Sequence, residues 1–165
     1  MGTAQAFIIE FEMEAKATRN ALERIPKDKL DWTPHEKSMS LGKLAYHVAS
    51  MPNAAADWLS VDNYDDEPHE LPANKDGKEL ARIFDEGSKR VISILQKMSD
   101  SDLAKDWSYS YNGQKLVTNP KIAVVRSWFL NHMYHHRGQL SVYLRLLEIP
   151  VPATYGNSAD ENPFT

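Results

Sequence analysis

Four segments of the chain carry apolar residues at intervals of three or four positions, with charged or polar residues between them. This spacing places the apolar side chains on one face of an α-helix. The predicted helices run from about Phe7 to Ile25, from Ser40 to Trp58, from Gly77 to Met98 and from Pro120 to Leu147. Four amphipathic helices with modest connections predict an all-α four-helix bundle, in which facing helices project side chains inward to form ligand sites.

Local signals mark where these helices begin and end. Ser40 is a good N-cap for the second helix, and Asn119 with Pro120 at the first helical position gives the fourth helix its start. Pro26 ends the first helix, whereas Pro52 is expected to kink the second helix or split it.

The connections between the helices differ in character. The linker 27–38 contains apolar and aromatic residues and is expected to pack over the bundle. The acidic stretch 60–76 is interpreted as a solvated connection, because its carboxylates lack the regular positions of a calcium loop. Alternating residues Trp107–Tyr111 and the turn Asn112-Gly113 predict a short hairpin or extended excursion before the last helix.

Composition limits the classes of function. The 165 residues are 42% hydrophobic and 25% charged, which is typical of a soluble domain, and we expect a single domain over residues 1–165. The net charge of -4 and the absence of a basic cluster argue against a nucleic-acid partner. Cysteine is absent, so any thiol chemistry must use a thiol from another molecule. With no signal peptide or membrane span, the sequence predicts a cytoplasmic protein that acts on a small molecule without a membrane partner.

Histidines interrupt the apolar face of the fourth helix and supply the candidate chemistry. His132 and His136 are four residues apart, so their imidazoles project from one face of a helix and can share an ion. His47 lies beside the apolar stripe of the second helix and can meet the pair inside a bundle. Three neutral imidazoles with open positions are typical of a catalytic metal centre, for zinc or for nickel. His135 points about 100° away from His136 on a helix and is left out of the ligand set.

The same stretches resemble a known family. They read WTP at Trp32–Pro34, SLGKLAYH at Ser40–His47, NHMYHHRGQL at Asn131–Leu140, LR at Leu144-Arg145 and VPATYG at Val151–Gly156. Their order resembles that of the DinB/YfiT-like superfamily of three-histidine metal-binding proteins. The resemblance implies an up-down-down-up four-helix bundle, often a homodimer, with a divalent metal ion on His47, His132 and His136.

The resemblance also implies a class of activity. Superfamily members include transferases and isomerases that use mycothiol, bacillithiol or glutathione. We therefore expect a metal-dependent enzyme of the thiol-dependent S-transferase type, in which the metal lowers the pKa of a low-molecular-weight thiol or of water. The alternatives are a non-catalytic metal-binding or stress-associated protein, and a metal-dependent hydrolase. For the hydrolase, the sequence places no general base, because Glu10 and Glu14 cannot be located relative to the site.

Residues around the predicted ligands are assigned supporting roles, and no catalytic residue is assigned. Gln139 is suited to a hydrogen bond behind a ligand or to the substrate, and Arg137 to a substrate carboxylate or a structural ion pair. The resemblance allows Tyr155 near the mouth of the pocket. Trp58 and Trp128 are interpreted as packing residues of the core or bundle end.

Overall fold

The computed structural model describes residues 2–164, which are mainly helical with one small sheet. The helices are α1 (Thr3–Glu23), α2 (Leu41–Leu59), α3 (Gly77–Leu95), α4 (Asp100–Leu103), α5 (Lys121–Ala123) and α6 (His132–Leu146). A 3₁₀ turn (Lys27–Lys29) follows α1, and a π-helix (Val124–Asn131) joins α5 to α6. The strands are β1 (Asn63–Asp66), β2 (Asp106–Tyr111) and β3 (Gln114–Pro120).

The core lies between the long helices. Helix α2 packs on α3 and α6, while α1 packs on α3 and α6 from the other side. Three phenylalanines meet at the centre, where the ring of Phe11 lies 5.0 Å from that of Phe129 and 6.2 Å from that of Phe84. Fully burying a side chain of this size contributes about 1.5–3 kcal/mol, so the apolar stripes hold the helices together.

The predicted helix signals are confirmed in part. The Ser40 hydroxyl caps α2 by accepting a hydrogen bond from the Lys43 N–H, as expected. Helix α2 runs through Pro52 without interruption, so the expected split does not occur. The linker 27–38 packs on the helices, because Leu30 is buried and the Trp32 ring meets Tyr143 edge-on at 5.5 Å.

The sheet is larger than the predicted excursion. β2 and β3 form the expected antiparallel hairpin, and Asn112 and Gly113 have the positive φ angles of 50° and 75° that a type I′ turn requires. Strand β1 was not predicted, because it lies within the acidic stretch interpreted as a solvated connection. It pairs in parallel with β2, with Tyr64 opposite Tyr109. Aspartate and asparagine are depleted in strands, so the composition of Asn63–Asp66 concealed this pairing.

The last helical run differs from its prediction at its beginning. Asn119 pairs with Trp107 inside β3, and Pro120 occupies the N-cap position without a side-chain hydrogen bond. The prediction of Asn119 as the cap is therefore wrong by one position. The run then takes the wider π conformation up to Asn131, directly before His132. Such segments are often found at functional sites. Among residues 2–164, every helix is too short or too polar to cross a bilayer.

Candidate metal centre

The three predicted ligands lie together in the space between α2 and α6. His47 extends from α2, while His132 begins α6 and His136 follows one turn later. The Nε2 atom of His132 lies 2.7 Å from Nε2 of His136 and 3.4 Å from Nε2 of His47. One nitrogen from each ring lies within 4.8 Å of the other two, which is the spacing of a set that can hold one metal ion.

Burial keeps these imidazoles neutral. All three rings are partly buried. Burial, together with the smaller effect of the neighbouring His136 and His132, lowers the pKa of His47 to about 4. Burial is also the main cause that lowers the pKa of His132 and of His136. A neutral imidazole has a free lone pair on one nitrogen, which is the form that binds a metal.

Hydrogen bonds on the far side of the rings decide which nitrogen carries that lone pair. His136 Nδ1 lies 2.8 Å from Gln139 Oε1, a carbonyl oxygen that accepts a hydrogen bond from the Nδ1–H group. The His132 ring bonds to the Trp128 backbone, and because its Nε2 faces the other histidines, Nδ1 is the donor. The Nε2 lone pairs of both rings therefore point at each other, an arrangement that a shared cation stabilises.

A fourth histidine, His135, lies next to the cluster in the sequence. His135 is exposed, lies outside the cluster and accepts a hydrogen bond from Gln139 Nε2 at 3.1 Å. Gln139 thus contacts both histidines with its two amide atoms. Three imidazole nitrogens without a thiolate or carboxylate fit a divalent ion such as zinc or nickel.

Arg137 and Tyr155 lie in a separate network. Arg137 is only 4% exposed, and its Nη2 lies 2.6 Å from both Glu14 Oε2 and the Tyr155 hydroxyl. Its Nη1 donates to Thr18 Oγ1 and to the Glu14 carbonyl, both at 3.1 Å. The guanidinium also lies over the rings of Tyr134 and Tyr155, at 5.3 and 5.4 Å. Of the two roles predicted for Arg137, the geometry matches the structural ion pair, and Tyr155 joins that pair instead of the pocket mouth.

A cleft of about 600 Å³ borders the cluster, with His47 and His132 in its wall. Its other walls include four aromatic side chains from α2, the sheet and the π-helix, namely Trp58, Tyr64, Tyr109 and Trp128. Trp58 and Trp128 pack against the core as interpreted from the sequence, and they line the cleft as well. The alternation in Trp107–Tyr111 was the available signal, since it places Trp107 and Tyr109 on one face of β2.

The carboxylates considered for a hydrolase lie elsewhere. Glu10 binds Arg126 in a bidentate pair and accepts from the Tyr134 hydroxyl, and the Arg126 hydrogen bond lowers its pKa. Glu14 belongs to the Arg137 network. Neither Glu10 nor Glu14 lines the cleft.

Comparison with known proteins identifies the family and the fold of the chain. The DinB family model matches residues 1–162. The Bacillus subtilis protein YrdA, described as uncharacterized, is 24% identical over 163 residues, which cover 96% of this chain and 92% of YrdA. A crystal structure of a DinB-like protein from Bacillus cereus has a TM-score of 0.70 at 20% identity and covers 92% of this chain and 97% of its own.

A second solved structure is equally informative about the fold. The DinB-like protein YjoA from Bacillus subtilis has a TM-score of 0.67 at 21% identity and covers 90% of this chain and 97% of its own. The mainly helical architecture with its small sheet is therefore a DinB-like fold. By the match over residues 1–162, the chain belongs to the DinB family.

Proposed function

We propose that this protein is a divalent-metal-dependent transferase that activates a low-molecular-weight thiol, or water, at His47, His132 and His136. The observation that carries the proposal is the convergence of three imidazoles beside a 600 Å³ cleft, with two of them, His47 and His132, in its wall. A structural metal centre has closed coordination, whereas three protein ligands beside a cleft leave room for a reactant. Zinc and nickel are among the ions that imidazole donors suit.

The residues of the chain prepare the site for that ion and for the reactants. Gln139 accepts a hydrogen bond from His136, and the Trp128 carbonyl accepts one from His132. Both rings therefore carry their proton on Nδ1 and keep the lone pair on Nε2. A divalent ion bound there would lower the pKa of a thiol or water molecule and supply a nucleophile at neutral pH. Because the chain has no cysteine, the thiol comes from a second small molecule. Trp58 and Trp128 provide apolar walls beside the ligands.

Metal analysis of the purified protein tests the first half of the proposal. We expect about one zinc or nickel ion per chain and its loss in His132→Ala and His136→Ala. His135→Ala is the matched control, because His135 lies on the same helix outside the cluster and should leave the metal content unchanged. Full metal content in both ligand variants would refute the assignment of the ligands.

Turnover assays test the second half. The metal-loaded protein is incubated with bacillithiol, mycothiol or glutathione and a set of electrophilic acceptors, and loss of free thiol is measured. We expect turnover that depends on both the metal and the thiol. Stoichiometric metal without turnover for any thiol or for water would favour the alternative of a non-catalytic metal-binding protein.

The proposal includes two further predictions from the family resemblance. The packing of α2 on α3 and α6, and of α1 on the same two helices, supports an up-down-down-up bundle. The homodimer stays a prediction, and sedimentation equilibrium of the purified protein would test it.

A further inference from the structure

The aromatic side chains that line the cleft lie at several angles to one another. Tyr64 and Tyr109 lie nearly parallel, with centroids 6.4 Å apart and 13° between their planes. Tyr109 meets Trp128 at 5.1 Å and 56°, and Trp58 meets Trp128 edge-on at 6.0 Å and 87°. The face of an aromatic ring is the negative part of its quadrupole, so rings set at different angles around one space attract a cation.

The charged residues of the same cleft are acidic. Its lining includes the carboxylates of Asp57, Asp66 and Glu70, and within residues 2–164 no lysine or arginine lines it. Asp57 is paired with Arg90, which lies outside the lining, with 2.7 Å between Oδ1 and Nη2. The cleft therefore retains negative charge chiefly through Asp66 and Glu70.

Asp66 is the carboxylate most closely tied to the aromatic wall. Its Oδ2 accepts a hydrogen bond from the Tyr109 hydroxyl at 3.0 Å, and its Oδ1 accepts one from the Glu67 N–H at 3.0 Å. Both donors are neutral, so they fix the position of the carboxylate without cancelling its charge. The exposed His69 Nδ1 lies 3.8 Å from Oδ1. Burial and the Asp66 hydrogen bond raise the pKa of Tyr109 to about 12, which keeps its hydroxyl a donor.

We infer that this cleft binds an organic ammonium ion, held against the aromatic rings and the Asp66 carboxylate. The inference rests on the proposed function in treating the cleft as the substrate side of the metal centre. It names the class of small molecule that this side of the metal centre accepts as a second substrate. An ammonium group is attracted electrostatically by ring faces and by a fixed carboxylate, whereas an anionic group in this position would be repelled by Asp66 and Glu70.

Titration calorimetry with benzyltrimethylammonium tests the inference directly. The protein is stripped of metal with a chelator and studied at pH 8. Benzyl alcohol and benzenesulfonate serve as neutral and anionic probes with the same ring. We expect the cation to bind at least about tenfold more tightly than either, because cation–π and carboxylate contacts act together. Equal or tighter binding of the neutral or anionic probe would overturn the inference.

Two neighbouring aspartates provide a matched pair of variants. Asp66 lines the cleft, whereas the Asp65 carboxylate bonds to the Gly113 N–H and does not line it. We expect Asp66→Asn to weaken binding of benzyltrimethylammonium by about fivefold to tenfold and Asp65→Asn to leave it unchanged. Asparagine can still accept from Tyr109, so Asp66→Asn should fold normally, which thermal unfolding checks. Equal loss in both variants, or none in either, would contradict the assignment.

The wall is tested by a second variant that carries no charge change. Tyr64→Leu removes one ring face from the cleft but keeps an apolar side chain. We expect about threefold weaker binding of the cation and little change for benzyl alcohol. An equal loss for both probes would mean that the wall binds through apolar contact alone, which would overturn the role given to the ring faces.

Measuring metal content before the chelator is added, and probe affinity afterwards, on one wild-type preparation separates the two proposals. Stoichiometric metal without preference for the cation would overturn the inference and leave the metal function standing. If the protein binds no metal but prefers the cation, the metal function is overturned, and the binding of an organic ammonium ion in the cleft still stands.

Discussion

Two consecutive residues of α6 belong to different polar clusters, and comparing the clusters distinguishes a candidate metal site from a structural ion pair. His136 belongs to the histidine cluster, and Arg137 belongs to the network with Glu14 and Tyr155. In the network, a buried cation meets an anion, and donors meet acceptors. In the cluster, like groups face one another across 2.7 to 3.4 Å. The first arrangement is complete as it stands, whereas the second gains from an added cation.

The contrast follows from the helical geometry of the chain. Consecutive residues on a helix differ in direction by about 100°, so His136 and Arg137 face different neighbours. His136 points towards α2, and Arg137 points towards α1. One motif therefore supplies both the candidate ligands and the ion pair that fixes α6 against α1. The comparison predicts that substitutions in the network reduce stability, whereas those in the cluster reduce metal binding.

The largest effect is expected for Arg137→Met. This change leaves the Glu14 carboxylate, of which 15% is exposed, without its cation. Removing one partner of a buried pair typically costs about 3–5 kcal/mol, so we expect a loss of that size in the free energy of unfolding. Urea denaturation of the metal-free protein measures it. Arg19→Met is the control, since its pairs with Asp85 and Glu23 are exposed and should cost at most about 1 kcal/mol. Similar losses in both variants would remove the distinction between the clusters.

The next effect concerns the histidine cluster and appears only when metal is added. A ligand at 100 times its dissociation constant stabilises the folded state by about 2.7 kcal/mol. We expect zinc to raise the stability of the wild type and of His135→Ala by this amount, and that of His132→Ala by almost nothing. Urea denaturation with zinc and with a chelator gives the difference. An equal gain in His132→Ala would show that zinc stabilises the protein elsewhere.

A smaller effect is expected for Gln139→Ala, which changes the support behind His136. Loss of the Gln139 Oε1 contact frees the His136 ring to rotate or to place its proton on Nε2. Removing such a partner lowers metal affinity by about 10-fold to 100-fold, which competition with a chromogenic chelator measures. Gln5→Ala on the exposed face of α1 is the control for a lost glutamine. Unchanged affinity in His135→Ala would show that the effect passes through His136 and not through the other amide contact.

The sequence predicted the parts of this molecule that depend on local spacing. The four-residue interval between His132 and His136 follows from the helical repeat alone, and the Asn112-Gly113 turn from its φ requirement. His47 came from a second helix, and the family resemblance supported its place in the same set. The histidine spacing and the turn need no knowledge of the tertiary structure, whereas the place of His47 depends on how two helices pack.

The aromatic and acidic cleft depends on long-range pairing that local patterns do not encode. Asp66 reaches it because β1 pairs in parallel with β2, more than 40 positions along the chain, with Tyr64 opposite Tyr109. An acidic stretch is usually solvated, so its composition favoured the wrong interpretation. The partner of Arg137 is 123 positions away on α1, so the choice between substrate binding and an ion pair could not be made from the motif.

The smallest effect is expected for Tyr155→Phe, and it decides how far the network extends into the C-terminal segment. The Tyr155 ring is 75% exposed, but its hydroxyl accepts from Arg137 and donates to Glu14 Oε2 at 3.0 Å. Losing these bonds while the ion pair persists should cost about 1 kcal/mol in the free energy of unfolding. Tyr111→Phe is the control. If the hydroxyl acts through the pair, the cost of Tyr155→Phe should shrink in an Arg137→Met background, because the coupled partner is gone. An unchanged cost would mean that the phenol stabilises the tail independently of Arg137.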